Sequence, residues 1–372
     1  MAQVVEINDP AELAGCRLLW TKLYGETAGA SFFHSFDWFE TYWRHHGDRQ
    51  RLRLLLVESA GSPIGILPLA VRRETTRLGT IRVLTYPLED WGSFYGPIGP
   101  YPTATLIAGL GHVRRTEVDW DLIDLRWIDS LEACDRTLRA MEIRGFSATT
   151  AVWAKSAQIE TAGGWEAYWA ARKRTWRKNV RYAEKRLAIH GPVEFTRFRP
   201  RGATWDEGEP CWPLYDECES LATRSWQGSS TTGTTLSHAA VQPFLRAAHA
   251  AAVHAGAADI SLLSVGGVPA AFAYCYQSGG YVYGLRMGFD DEQAHEGAGT
   301  VLLARLIQDS FERGDRIVDL GSEYLECKQP WLTRLAESYH VTHFRASGPK
   351  AQALRLKRWL RGIGHRRGMQ AT

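Results

Sequence analysis

Residues 294–303 read AHEGAGTVLL, and two glycines, Gly297 and Gly299, stand there at the mouth of an apolar helical pattern. With Ala298 and Thr300 they form a turn whose backbone N–H groups have no intrahelical partner, and the helix dipole favours an anion at that end. Glycine lets a ligand approach the backbone closely. The chemistry suits a pyrophosphate or a phosphopantetheine phosphate, although the spacing is neither GxGxxG nor a Walker box, and an ordinary helix entry is the competing reading. Asp319 and Glu323 stand at and just beyond the end of a strand-like RIVDLG. A carboxylate there could act as a general base. Tyr283 and Tyr324 could donate a proton to a leaving group, and His295 is a further candidate for proton transfer. Arg286, in an otherwise apolar strand, needs a partner. Lys328 could hold a phosphate or a carboxylate as a point charge. Asp90, in the loop LEDWGSFYGP, is a candidate for lining a substrate cleft. For each of these residues a purely structural role, as cap, packing group or surface charge, competes with the chemical one.

Other chemistries find little support. His45-His46 and the pair His249 and His254 lack the i, i+4 spacing of helical metal ligands, so no metal site is expected. The six cysteines form no CxxC pair and read as reduced thiols of a cytoplasmic protein. LAGC, ending at Cys16, looks like a lipoprotein box, but the preceding segment has no basic start and no apolar run of roughly 7 residues. No stretch approaches the ~18 apolar residues of a membrane span. With 372 residues and a formal net charge of +3, the chain suits two domains, and overall charge does not by itself imply nucleic acid.

The elements that must position these residues show a weak internal repeat. LLLVESAGSPIGILPLAV (54–71) and SLLSVGGVPAAFAYCY (261–276) each read as strand, glycine turn and second strand, with Pro63 and Pro269 as equivalent positions. A helical pattern precedes each, at 35–47 behind Ser35 and at 237–256 behind Ser237. TIRVLTYP and WDLIDLRWI continue the first half as strands, and residues 131–145 as a helix. The second half continues with a strand at 280–290, the glycine turn, a helix ending at Gly314 and the strand at 316–321, a βαβ-like unit. Between the halves, 165–191 reads as one helix with an apolar stripe (Trp165, Trp169, Trp176, Val180, Ala183, Leu187) opposite a face of Arg and Lys. The tail, 350–368, is again basic and amphipathic.

The order YVYGLRMGFD, EGAGTVLLARLI, RIVDLGSE and ECKQPW resembles the C-terminal half of the CelD/BioF-like acyltransferases of the GNAT superfamily, whose doubled architecture is similar to that of the FemAB peptidyltransferases. The resemblance rests on Phe289-Asp290, on Gly297-Ala298-Gly299, on Asp319-Leu320-Gly321 and on Cys327-Lys328. It extends over roughly 30–345, through FFHSFDWFETYW and WDLIDLRWI. Two departures are Ala294, where the GNAT signature has Arg or Gln, and Cys327, where a Tyr is usual; both leave the identity of the donor open. The resemblance implies an α/β fold of two GNAT-like modules, mixed sheets flanked by helices, around a shared cleft. The expected division is an N-terminal module at 1–160, a basic connecting helix at 161–195, a C-terminal module with the donor site at 196–345 and the tail at 346–372. The implied activity is N-acyl transfer from acyl-CoA or an acyl carrier protein to an amine by direct attack, with no permanently bound cofactor. The amine would belong to a small molecule, a peptide or a glycan precursor. Two alternatives stay open. One is a Fem-like aminoacyltransferase using charged tRNA, with 172–186 as the RNA contact. The other is a catalytically silent binding module in envelope polysaccharide or lipopeptide assembly. The tail, with Leu354, Leu356, Trp359, Leu360 and Ile363 among its charges, suits an acyl carrier protein or a peripheral membrane contact.

Overall fold

A computed structural model describes residues 2–77, 79–87, 91–290 and 297–357. Asp90, His295 and the tail beyond 357, with Trp359, Leu360 and Ile363, lie outside the described residues. The first stretch of chain forms β1 (Gln3–Ile7), α1 (Leu13–Gly25), α2 (Phe36–His46), β2 (Gln50–Ser59), β3 (Ser62–Thr76) and β4 (Gly79–Thr85). Then follow α3 (Pro102–Arg115), β5 (Leu122–Ile128), α4 (Leu131–Ile143), β6 (Ala148–Glu160), α5 (Trp165–Ala170) and α6 (Arg174–Leu187). The second stretch forms β7 (Val193–Phe198), α7 (Trp212–Thr223), α8 (Gln242–His254), β8 (Ala258–Val265), β9 (Val268–Ser278) and β10 (Tyr281–Phe289). It closes with α9 (Ala298–Arg313), β11 (Ile317–Asp319), α10 (Leu325–Lys328) and β12 (Arg334–Phe344).

Two compact units result: residues 1–28, 42–154 and 337–372 form one, and residues 29–41 and 155–336 the other. In the first unit the strands lie in the order β1-β2-β3-β4-β5-β12, and in the second β7-β8-β9-β10-β11-β6. The repeat read from the sequence is a repeat of structure. β2–β3 and β8–β9 are antiparallel hairpins, and the register slips at Val57/Glu58 in one and at Leu263/Ser264 in the other, opposite Pro63 and Pro269. Each hairpin is followed by a strand, a helix and a parallel strand: β4 pairs with β5, and β10 with β11. The units interleave along the chain, whereas the sequence reads as successive blocks. β12 pairs with β5 in the first unit, and β6 with β11 in the second. Each repeat is thus closed by a strand that follows the other repeat in sequence. Composition carries no trace of such pairing, because a strand's partner is set by long-range hydrogen bonds and not by its own residues.

Local chemistry explains several boundaries. Trp38 N–H donates to Ser35 Oγ at 3.1 Å, which caps α2 as the sequence suggests. The second helix begins at Gln242 and not behind Ser237, because Pro243 fits the first turn and not a helix interior. The single basic helix expected at 165–191 is broken between α5 and α6. At the break Arg172 donates to the carbonyl oxygens of Trp331 and Leu332 at 3.2 and 2.7 Å, with its guanidinium 4.7 Å from the Tyr168 ring centre. The apolar stripe survives the break: Val180 and Leu187 are buried, and Trp165, Trp169, Trp176 and Ala183 pack on the same core. Residues 349–357 are helical, with Leu354 packed on Ile81, Val83 and Leu122 and Leu356 exposed. The apolar side of the described part of the tail is therefore partly taken up by the first unit itself.

Candidate active site

In the second unit β10 and β11 run parallel, with Tyr281 opposite Ile317 and Tyr283 opposite Asp319. β11 ends there. β10 continues to Phe289, still paired with β9, after a bulge between Gly284 and Arg286. A Cβ on Gly284 would lie 2.6 Å from the Asp319 carbonyl oxygen, so only glycine lets the two strands approach at the point where they part. Beyond Tyr283, among the described residues, β11 no longer covers that edge of β10. A bulge also disrupts the ladder and re-aims side chains.

Asp319 sits at this parting point and is 4% exposed. Its Oδ2 accepts from Ser156 Oγ (3.0 Å), Gln158 Nε2 (2.8 Å) and Tyr281 OH (2.7 Å), and its Oδ1 accepts from Gly321 N–H (2.7 Å). Four donors occupy the carboxylate. Burial, and then the Asp319 charge beside it, raises the Tyr281 hydroxyl far above its ordinary value, so Tyr281 remains a donor. Tyr283 stacks on Tyr281 with ring centres 4.2 Å apart and meets Phe33 edge-on at 5.4 Å.

Glu323 is exposed, and among the described residues it has no hydrogen-bond partner. Tyr324 is 64% exposed, has a φ of +53° and meets the Trp226 ring at 6.0 Å. A left-handed backbone at a bulky non-glycine residue costs energy and invites a functional reading. The Lys328 ammonium lies near Gly321, 3.6 Å from where a Cβ would be. Burial pulls its pKa down, Asp319 and Glu323 pull it up, and Arg286 pushes it down again. Arg286 donates to the carbonyl oxygens of Thr234 (3.3 and 3.2 Å) and Leu285 (2.7 Å), the partners its charge requires. Trp226 Nε1 and Gln227 Nε2 both donate to the Met287 carbonyl oxygen, at 3.2 and 3.3 Å, and so tie residues 225–237 to the bulged strand.

The glycine turn opens α9. Gly297 has a φ of +88° and packs so closely that a Cβ would lie 2.8 Å from Ala183 Cβ; a Cβ on Gly299 would lie 2.7 Å from Phe289 Cδ1. Both glycines are demanded by backbone and packing, whatever binds there. Thr300 and Val301 N–H both return to the Gly297 carbonyl oxygen, at 3.0 and 3.1 Å, so the amides of Ala298 and Gly299 precede the first intrahelical bonds. Asp290 is held by Arg224 Nε at 2.9 Å.

The structure therefore gathers Arg286, Asp319, Glu323, Tyr324 and Lys328 around the parting of β10 and β11, with Tyr283 packed behind them. Sequence reasoning missed Ser156, Gln158, Tyr281 and Trp226. Tyr281 was within reach, because a strand places residues i and i+2 on one face and Tyr283 was singled out. Ser156 and Gln158 come from β6, a strand not recognised in the sequence.

Residues 173–329 match the acetyltransferase (GNAT) domain family. The fold is similar to the crystal structure of FemX, with a TM-score of 0.58 and 11% identity, covering 92% of this chain and 97% of that one. It is also similar to the C-terminal domain (DUF2156) of a putative lysylphosphatidylglycerol synthetase from Agrobacterium fabrum, with a TM-score of 0.54, 12% identity and coverage of 93% and 95%. Among curated proteins there is no match.

Proposed function

We propose that the second unit, whose residues 173–329 match the acetyltransferase (GNAT) domain family, moves an acyl group from a thioester to an amine by direct attack, in the manner of the CelD/BioF-like enzymes. The observation that carries this reading is the parting of β10 from β11, beyond which, among the described residues, β11 no longer covers that edge of β10, with the first turn of α9 packed on Phe289 at the end of β10. The phosphate end of acyl-CoA or acyl-phosphopantetheine lies against Gly297, Ala298, Gly299 and Thr300, where the amides of Ala298 and Gly299, which precede the first intrahelical bond, and the helix dipole favour an anion. Lys328 and Arg286 add positive charge on the donor or substrate side. Glu323, exposed and with no hydrogen-bond partner among the described residues, accepts the amine proton. Asp319 is a positioning residue, because its lone pairs already hold Ser156, Gln158, Tyr281 and the Gly321 amide. Tyr324 protonates the leaving thiolate.

A second reading has its own support. α6 bears Lys178, Arg181 and Lys185 on its exposed side, and Ala183 of the same helix touches the donor turn at Gly297. A polyanionic carrier, either charged tRNA or an acidic carrier protein, fits that face. Supplying the purified chain with acyl-CoA, acyl-loaded carrier protein and aminoacyl-tRNA in separate reactions, each with a panel of amines, tests the proposal. Thiol release with N-acylated product supports the thioester reading. Product from aminoacyl-tRNA alone replaces it with the Fem-like one.

A further inference from the structure

The first unit holds a counterpart of Asp319. Leu122-Ile123-Asp124-Leu125 aligns with Ile317-Val318-Asp319-Leu320 in the repeat, and each aspartate ends up opposite the closing strand, Asp124 opposite Thr342 and Asp319 opposite Gln158. Asp124 is fully buried. Its Oδ1 faces His340 Nδ1 at 2.8 Å and accepts from Thr342 Oγ1 at 2.9 Å; its Oδ2 accepts from Arg126 Nε at 3.0 Å. Where Asp319 meets Ser156, Asp124 meets a histidine.

The local backbone singles out the same spot. Between Ile128 opposite Tyr339 and Leu125 opposite Val341 the register shifts, so that Arg126 and Trp127 face His340 alone. Trp127 has a φ of +56°, a conformation that such a bulge ordinarily gives to glycine. Rings surround the imidazole. Trp153, 38% exposed, lies 5.3 Å from the His340 ring and 6.5 Å from Trp127. Arg126 covers Trp153 at 5.1 Å and pairs with Glu74 at 2.8 Å. The His340 side chain keeps 15% of its surface, and among the described residues its Nε2 has no hydrogen-bond partner.

We propose that His340, oriented by Asp124 and walled by Trp127 and Trp153, is the proton-accepting centre of an amine-binding site in the first unit. A carboxylate on Nδ1–H leaves the Nε2 lone pair facing outward, the arrangement of an oriented general base. Arg126, Glu74 and Asp124 sum to one negative charge around the imidazole, and the part of the Trp153 ring that Arg126 leaves open attracts an ammonium. On deprotonation the amine keeps its electron pair, its proton passes to Nε2, and Asp124 stabilises the imidazolium. The site stands apart from the acyl-donor reading and needs no donor to be observed.

The test uses the full chain labelled at the tryptophan indoles and the histidine imidazoles, followed by NMR, with n-butylamine and glucosamine against n-butanol and glucose. Both amines are expected to move the Trp153 indole signal. They should also move the His340 imidazole signals, because a bound amine beside Nε2 changes their surroundings. The neutral compounds should do neither. His340→Gln and Trp153→Leu should each weaken butylamine binding about tenfold or more. Equal shifts from amine and alcohol, no shift from either amine, or unchanged binding in both folded variants overturns the proposal.

Discussion

At the scale of single residues, the two carboxylates of the candidate site separate by what they already hold. Asp319→Asn would present amide hydrogens to a ring of donors that now all point at an acceptor. Stability should fall on the order of 3 kcal/mol, read by denaturant unfolding. Thr300 offers a cleaner probe of the donor turn than either glycine, because any side chain at Gly299 collides with Phe289. Thr300→Asp brings a negative charge to the dipole's positive end and should weaken CoA binding by about 5–30-fold, with an unchanged melting temperature, as measured by calorimetry. His249 supplies a pH dependence. Burial, and then Arg246, lowers it to about 4, and it packs between Tyr215, Trp212 and Tyr274. The unfolded chain therefore binds this proton below about pH 6.5 while the folded chain resists it until about 4. Stability from this group is full above about 6.5 and declines by about 3 kcal/mol as pH falls to 4. His249→Gln should flatten that part of the pH–stability curve; an unchanged slope would mean that another group carries it.

At the scale of elements, hairpins and the α9 turn were legible because they carry local signals: glycine at Gly61 and Gly267, a proline two residues later, and a helical apolar stripe. The strands that complete the units were not. β6 alternates only weakly, with most of its first half exposed, and its meaning comes from Ser156 and Gln158 meeting Asp319 more than 160 residues away. The break after α5 was equally hidden, since it depends on Arg172 reaching the carbonyls of Trp331 and Leu332. Arg286 is the contrary case: its demand for a partner was readable, and the partner is backbone oxygen. α6 carries a prediction of its own. Reversing Lys178, Arg181 and Lys185 to Glu should slow turnover with a carrier-bound donor and leave a small thioester unaffected. The difference should shrink in salt, as the Debye length falls from about 10 Å at 0.1 M to about 3 Å at 1 M. Equal loss with both donors would place the effect in folding and not in docking.

At the scale of the whole chain, the two units repeat one strand–helix–strand module. In the first unit the loop before α3 is packed on its own sheet. Ile98 bonds to Ile66 in both directions, at 2.7 and 2.8 Å, Tyr95 N–H reaches the Trp127 carbonyl oxygen at 3.0 Å, and Trp91, Tyr95 and Ile98 are buried. Exchange of closing strands also predicts that residues 1–160 alone will not fold: β5 would expose an edge, and Asp124 would lose Thr342 and His340. Circular dichroism of that fragment checks it. The most direct test of the central claim is kcat/KM for thiol release from an acyl-phosphopantetheine donor, measured across pH for the wild type and for Glu323→Gln. The account predicts a loss of about 10²–10⁴-fold near neutral pH that narrows at high pH, where the amine is already neutral. Equal rates for the two proteins at every pH would contradict it.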